Sequence, residues 1–180
     1  VVLKGGKGPT AHTLNENGKN ERIIVEDCEY GFCHGCLTCG SESLHNRNVI
    51  VRRIKINKAA RLLWLKLRPD TVQRYEYIRV EKVNGEVDFM LYARPWTQFF
   101  DMKGEKQLPC SKVNNVEICD CKLNCKSYLN VGVSDRYKLR DFSFRSLEIK
   151  TQTCSYEEDA IENLAKANVS YGRTSLQVSN

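Results

Sequence analysis

Apolar and polar residues alternate along most of the chain, and this pattern predicts β-strands rather than helices. Runs rich in Ile, Val and Leu recur with the two-residue period of a strand that buries one face. Leu63, Leu65 and Leu67, for example, fall on one such face. The clearest runs span residues 21–26, 49–56, 61–68, 131–137 and 142–149. The chain is therefore expected to be mainly β.

The last of these runs changes its parity in the middle. Phe142 and Phe144 share one face of a regular strand, whereas Leu147 and Ile149 have the opposite parity. If all four side chains are buried, a β-bulge near Ser146 must shift the alternation by one residue.

The dipeptide Asn84-Gly85 predicts a β-hairpin. Both positions of a two-residue type I′ turn need positive φ, and Asn-Gly supplies it at the lowest cost. Apolar and aromatic residues flank the dipeptide on both sides, and the implied register sets Tyr77 opposite Tyr92. The hairpin favours an antiparallel sheet.

The C-terminal part has the pattern of a helix. Ser155 and Glu158 form a capping box, and acidic residues in the first turn suit the helix dipole. The expected organisation is a flexible arm over 1–20, a cysteine-rich β domain over 21–154, a helix over 155–168 packed on that domain, and a frayed tail over 169–180.

The nine cysteines predict disulfide bonds. Closely spaced cysteines in a β-rich chain commonly staple strand ends, and the Asn168-Val-Ser170 sequon predicts glycosylation at Asn168 in a secreted protein. Nine is odd, so one thiol is left over, and the pairing cannot be deduced from spacing. The cysteines are Cys28, Cys33, Cys36, Cys39, Cys110, Cys119, Cys121, Cys125 and Cys154. The predicted fold is a disulfide-stapled antiparallel β-sandwich with one C-terminal α-helix.

Zinc is the alternative explanation of the cysteines. Cys33-x-x-Cys36 has knuckle spacing, and Cys119 with Cys121 could complete a four-thiolate site. This hypothesis implies an intracellular, cytoplasmic or nuclear module that binds nucleic acid, whereas the disulfide hypothesis needs no cofactor. A redox role for Cys33-x-x-Cys36 is disfavoured, because no helical pattern follows to stabilise a thiolate.

Residues Cys33-His-Gly-Cys36-Leu-Thr-Cys39-Gly40 resemble the Cys-x-Gly-Cys-x-x-Cys opening of the Ig-like domain in some bunyaviral class II fusion glycoproteins. The resemblance covers eight residues of 180. It implies a domain of a viral envelope or fusion glycoprotein as a further alternative, and no residue roles are carried over from it.

Basic residues concentrate in and after the second predicted strand, and aromatic residues follow them. Such a surface can hold a polyanion or an acidic protein through charge pairing with rigid aromatic anchors. A solvated sheet face is the simpler reading of the same pattern. The predicted binding patch consists of Arg52, Arg53, Lys55, Arg61, Lys66, Arg68, Tyr77 and Tyr92.

The remaining features limit the function class. No motif for a catalytic nucleophile, metalloprotease or phosphate-binding loop occurs, so a non-enzymatic module is expected. The net charge of +6 is compatible with an acidic partner. No apolar run of ~18 residues occurs, so no membrane span is expected. The leading hypothesis is a secreted or ectodomain module that binds a protein or polyanionic partner.

Overall fold

The computed structural model describes residues 1–11, 18–153 and 157–173, and almost all of its regular structure is β-strand. A short 3₁₀ turn spans Glu158–Ala160. The strands are β1 (Val2–Leu3), β2 (Lys19–Cys33), β3 (Leu37–Cys39), β4 (His45–Leu65), β5 (Arg74–Ala93), β6 (Ser111–Val131), β7 (Tyr137–Thr151) and β8 (Glu162–Arg173).

The strands wind into a parallel β-solenoid. β4, β5, β6, β7 and β8 follow one another in chain order in the sheet, and β2 and β3 both pair with β4. All of these pairings are parallel, so each turn of the chain adds one rung. The predicted antiparallel sandwich is therefore wrong. Strands of 20 and 21 residues are too long for ordinary sandwich strands, but they fit rungs that bend around a core.

Each rung bends at two corners made by residues with positive φ. The two corners are five residues apart in every long strand, and they stack from rung to rung. Seven of the twelve corner residues are Asn or Asp, which tolerate the left-handed conformation better than most residues. The first column is Arg22, Asn48, Tyr77, Asn115, Asp141 and Asn163; the second is Asp27, Arg53, Lys82, Asp120, Ser146 and Asn168.

A corner shifts the in-out alternation by one residue. Ser146 has φ 51°, and Phe142, Phe144, Leu147 and Ile149 are all buried around it. The predicted parity shift near Ser146 is thus confirmed, although it comes from a corner of the solenoid rather than from a bulge in a flat sheet.

The core is a set of apolar columns that run along the solenoid axis. One column consists of Ile23, Val49, Ile78, Val116, Phe142 and Leu164. Its middle members are almost completely buried, whereas Ile23 and Leu164 in the outer rungs are only partly buried. Apolar burial of this kind is the main force that holds the rungs in register.

No hairpin forms at Asn84-Gly85. Both residues lie inside β5, where Gly85 pairs with Ile56 of the rung before and Leu123 of the rung after. Gly85 has φ 150°, and a Cβ there would collide with the backbone carbonyl of Ile56. The glycine is needed for close approach of two rungs, which a local turn motif cannot distinguish from a turn.

The predicted C-terminal helix does not form over residues 157–168, the part of it that the structure describes. Ser155, its expected first cap, lies outside the described residues, and Glu158 belongs to the 3₁₀ turn. Residues 162–173 form β8, which pairs with β7 in parallel from Arg140↔Glu162 onward. Pairing with a preformed rung outweighs local helix propensity here, because an isolated helix of this length is marginal in water.

The predicted disulfide framework is wrong for the eight described cysteines, all of which are free thiols; Cys154 lies outside the described residues. Cys33 stacks on Ala59, then Val87, then Cys125. Three rung spacings place the Cα atoms of Cys33 and Cys125 about 14 Å apart, whereas a disulfide needs Cα atoms about 4.4–6.8 Å apart.

Within the described ranges, no helix is long and apolar enough to span a membrane.

Candidate functional site

Three residues of the predicted patch are engaged in ion pairs between the first two rungs. Arg52 Nε lies 2.6 Å from Glu26, and Lys55 Nζ lies 3.1 Å from Glu29. Arg53 binds Asp27 with two nitrogens, both at 2.7 Å. Opposite charges meet because the parallel register sets Glu26 beside Arg52 and Glu29 beside Lys55. These three cations are already neutralised by acidic side chains of the neighbouring rung.

Arg68 is a buried structural residue. Its Nε and Nη2 donate to the two carboxylate oxygens of Asp70 at 2.7 and 2.8 Å, with both side chains at most 4% exposed. Burial opposes the ionisation of Asp70, but hydrogen bonds from Arg68, the Asp101 amide and Thr71 outweigh it and lower the carboxyl pKa. Arg68 is thus not available to a partner.

Tyr77 stands at the first corner of β5 and is 49% exposed. The guanidinium of Arg47 lies 5.6 Å from the centre of its ring. Tyr77 is well separated in register from Tyr92, because the two residues lie fifteen positions apart on one continuous strand. The predicted aromatic pair across a hairpin does not exist.

Arg61, Lys66 and Tyr92 do converge, and they do so with three residues that the predicted patch lacked. We call this group the ring–cation site: Arg61, Trp64, Lys66, Tyr92, Arg94 and Trp96. Alternation along the strand buries Leu63 and Leu65 and turns Trp64 outward. The register Trp64↔Tyr92 then brings the two outward rings together, with their centres 5.9 Å apart in an edge-on arrangement.

Cations surround the Trp64 ring. The Arg61 guanidinium carbon lies 3.8 Å and the Lys66 Nζ 3.7 Å from its centre. Arg61 also lies 4.6 Å from the ring of Tyr92, and Lys66 lies 5.1 Å from the ring of Trp96. Cation–π attraction holds both charges without an acidic partner.

Arg61 and Lys66, the two cations against the Trp64 ring, lack acidic partners. Neither Arg61 nor Lys66 has a carboxylate within 4.0 Å among the described residues, and the buried Arg61 Nε has no hydrogen-bond partner there. Burial, followed by repulsion from Lys4 and Arg61, lowers the pKa of Lys66. An anion bound at this point would relieve both effects.

The rim of the site comes from the segment after β5. The Trp96 amide donates to the Leu67 carbonyl at 3.2 Å, which continues the rung stacking beyond the strand. Arg94 is an ion-pair partner of Glu157, and the Trp96 indole donates to the Gln98 carbonyl. An open cavity of about 270 Å³ lies here, lined by Arg61, Trp64, Tyr92, Arg94, Pro95, Trp96, Thr97 and Gln98.

The buried Arg68–Asp70 pair supports this rim. Arg68 Nη2 donates to the Phe99 carbonyl at 2.6 Å, and the Asp101 amide donates to Asp70 at 3.0 Å. Both contacts fasten the segment that carries Trp96. Arg68 therefore contributes to the site through position rather than by touching a ligand.

The thiols of the zinc hypothesis are not brought together as a metal site. Among the described residues no group of three or more His, Cys, Asp or Glu side chains is placed to hold one ion. Cys36 and Cys121 are buried in the core, and burial raises the pKa of each thiol to about 12. Cys119 instead lies beside Glu81 and Arg79.

The predicted patch left out Trp64, Arg94 and Trp96. The alternation did contain a signal for Trp64, which has the parity opposite to Leu63 and Leu65. Its neighbour in the next rung, Tyr92, lies 28 positions further along the chain, and no local pattern specifies that spacing.

No protein-family model matches the sequence, and the search of curated proteins returned no relative. The geometry of the ring–cation site is therefore the main guide to function.

Proposed function

We propose that this protein is a non-enzymatic binding module for an anionic carbohydrate polymer of the glycosaminoglycan type, which it holds at the ring–cation site. The main support for this proposal is the pair of cations that lie against the Trp64 ring. Arg61 and Lys66 have no carboxylate within 4.0 Å among the described residues, whereas Arg52, Arg53 and Lys55 all have one.

Several features favour a carbohydrate over a nucleic acid. Base stacking needs an open ring face, and the Trp64 ring already has two cations within 4 Å of its centre. Thr97 and Gln98 line the same cavity and offer polar groups to hydroxyls. The cavity of about 270 Å³ lies just below the range of about 300–1,000 Å³ that is usual for small-molecule pockets. It suits one unit of a polymer that continues across the surface.

The physical basis is relief of unpaired charge. Half-buried cations attract an anion more strongly than solvated ones, because the surrounding dielectric is lower. An anion bound beside Lys66 would favour its charged form, which burial disfavours in the free protein.

The test is binding of heparin and hyaluronan oligosaccharides by calorimetry, with a neutral dextran and a single-stranded oligonucleotide as comparison ligands. We expect Lys66→Ala and Arg61→Ala each to weaken oligosaccharide binding by about tenfold, the loss of one charge-assisted contact of about 1.4 kcal/mol. Lys55→Ala is the matched control, because Lys55 is ion-paired outside the site. It should change the affinity by less than twofold.

The results separate the alternatives. Equal losses in Lys55→Ala and Lys66→Ala would show unspecific attraction and would contradict the assigned site. Tighter binding of the oligonucleotide than of both oligosaccharides would favour the nucleic-acid hypothesis. A secreted or extracellular location is part of this proposal and now depends on the sequon at Asn168, which is exposed on β8, since the described cysteines are free.

A further inference from the structure

A second group of cations, outside the ring–cation site, forms a row along the solenoid axis. Arg74, Lys112 and Lys138 occupy the same position in three successive rungs, because the register pairs Arg74 with Lys112 and Lys112 with Lys138. All three side chains are exposed. Neighbouring rungs are about 4.8 Å apart, so the row spans about 10 Å.

The row places three like charges in register. At other outward positions an acid faces a base across the rungs, as in the pairs Lys122–Glu148 and Arg140–Glu162. Like charges on directly opposed strand positions repel each other and destabilise a sheet. No carboxylate lies within 4.0 Å of Arg74, Lys112 or Lys138 in the described parts of the chain. A local rule that is broken without compensation points to function.

The row lines a groove of about 400 Å³. Arg140 joins the three cations on its wall, while Glu76 and Asp141 are the acidic residues there. Glu76 is already engaged by His45 at 2.9 Å. Asp141 accepts a hydrogen bond from Asn163 at 3.0 Å, and Arg140 is paired with Glu162 at 3.1 Å. Asn163 is neutral, so the Asp141 carboxylate keeps its charge, and the groove carries the three cations of the row against this one acid without a cationic partner.

We infer that this groove, lined by Arg74, Lys112 and Lys138, binds a compact oligophosphate group. Three cations about 4.8 Å apart match a ligand that carries several negative charges within about 10 Å. Arg74 can bind one phosphate with two parallel hydrogen bonds, and the two lysines act as point charges on the next ones. A groove of this size holds a short phosphate chain with or without an attached nucleoside.

Calorimetric titration with inorganic tripolyphosphate and with adenosine triphosphate tests the inference. We expect saturable binding of tripolyphosphate with one site per chain, a loss of fivefold or more in Lys112→Gln, and a loss of at least thirtyfold in Lys112→Gln/Lys138→Gln. Lys122→Gln is the matched control, because Lys122 is an exposed lysine of the same strand that is paired with Glu148. Its affinity should stay within twofold.

Equal affinity for the two probes would assign the ligand to the phosphate chain alone, and tighter binding of the nucleotide would assign it to a nucleoside polyphosphate. Both outcomes support the site. Absence of binding, or binding that the double variant leaves unchanged, overturns it. Lys66→Ala should bind tripolyphosphate normally, so failure of the groove and failure of the ring–cation site are distinguishable.

Discussion

The buried ion pair between Arg68 and Asp70 allows the sharpest test of how the ring–cation site is supported. Replacement of Asp70 by alanine leaves the Arg68 guanidinium 2% exposed, with the Phe99 carbonyl as its remaining described acceptor. The Asp101 amide and the Thr71 hydroxyl lose an acceptor as well. The change therefore creates an uncompensated buried charge together with unpaired donors.

The magnitude follows from the contacts that disappear. Two charge-assisted hydrogen bonds are lost from Arg68, each worth about 1.5–3 kcal/mol. Removal of one partner from a buried pair usually costs about 3–5 kcal/mol, because the other charge stays buried. We expect Asp70→Ala to lower the free energy of unfolding by about 4 kcal/mol, a large part of the stability of an ordinary domain.

Urea unfolding monitored by tryptophan fluorescence measures this difference. The double variant Arg68→Met/Asp70→Leu is the control, because it removes both charges and fills the space with apolar atoms; it should recover at least half of the loss. A cost below about 1 kcal/mol for Asp70→Ala would refute the reasoning, since it would mean that water or another acceptor reaches Arg68.

The pH dependence of the same pair has a definite sign. The folded-state pKa of Asp70 is lowered, so its contribution to stability is complete above the unfolded-state pKa of about 3.9 and is lost as the pH falls through the lower folded value. The stability difference between the wild type and Asp70→Ala should therefore be constant near neutrality and should shrink below about pH 4. A difference that grows in acid would contradict the ionised pair.

Three further predictions follow from the rungs. Gly85→Ala should lower the free energy of unfolding by about 2 kcal/mol or more, because its Cβ would collide with the Ile56 backbone at a φ that only glycine adopts easily; a urea midpoint within error of the wild type would contradict this. Lys82→Asn should raise the stability by up to about 1 kcal/mol, since Asn tolerates the left-handed corner better than Lys, and a lower thermal midpoint would count against the corner assignment. Native alkylation followed by peptide mass spectrometry should modify the partly exposed Cys110 well before Cys36, whose burial raises its pKa to about 12; equal rates would be inconsistent with the core position.

Most of the strands could be predicted from local pattern, because burial of one face is a local property, but residues 131–137, predicted as a strand, include the connection between β6 and β7. The predicted strand over 61–68 coincides with the end of β4 as far as Leu65, and Leu63, Leu65 and Leu67 are all buried as expected. The parity shift at Ser146 was also visible in the sequence. The predicted pairing of the strands was wrong. Asn84-Gly85 satisfies the local rule for a hairpin, and only the rungs above and below Gly85 show that the glycine is there for close approach.

The repeat was hidden for a physical reason. Partners in successive rungs are 22 residues apart at Arg140↔Glu162 but 38 apart at Arg74↔Lys112, since the loops between rungs differ in length. A solenoid requires only that each rung match its neighbours in shape, so loops can grow without disturbing the core. The trace of the repeat that remains in the sequence is at the corners, where Asn or Asp is frequent at two positions five residues apart.

The ring–cation site, too, could be predicted from the sequence only in part. The sequence by itself determined that basic and aromatic residues are concentrated after residue 52, and it placed Arg61, Lys66 and Tyr92 among the candidates. Only the tertiary structure decided which cations remain without an acid. Ion pairing depends on the residue in the next rung, 26 residues away for Arg52 and Glu26, and that distance is set by loops and by the register of the core. Local pattern fixes the faces of a strand, whereas stacking fixes its neighbours.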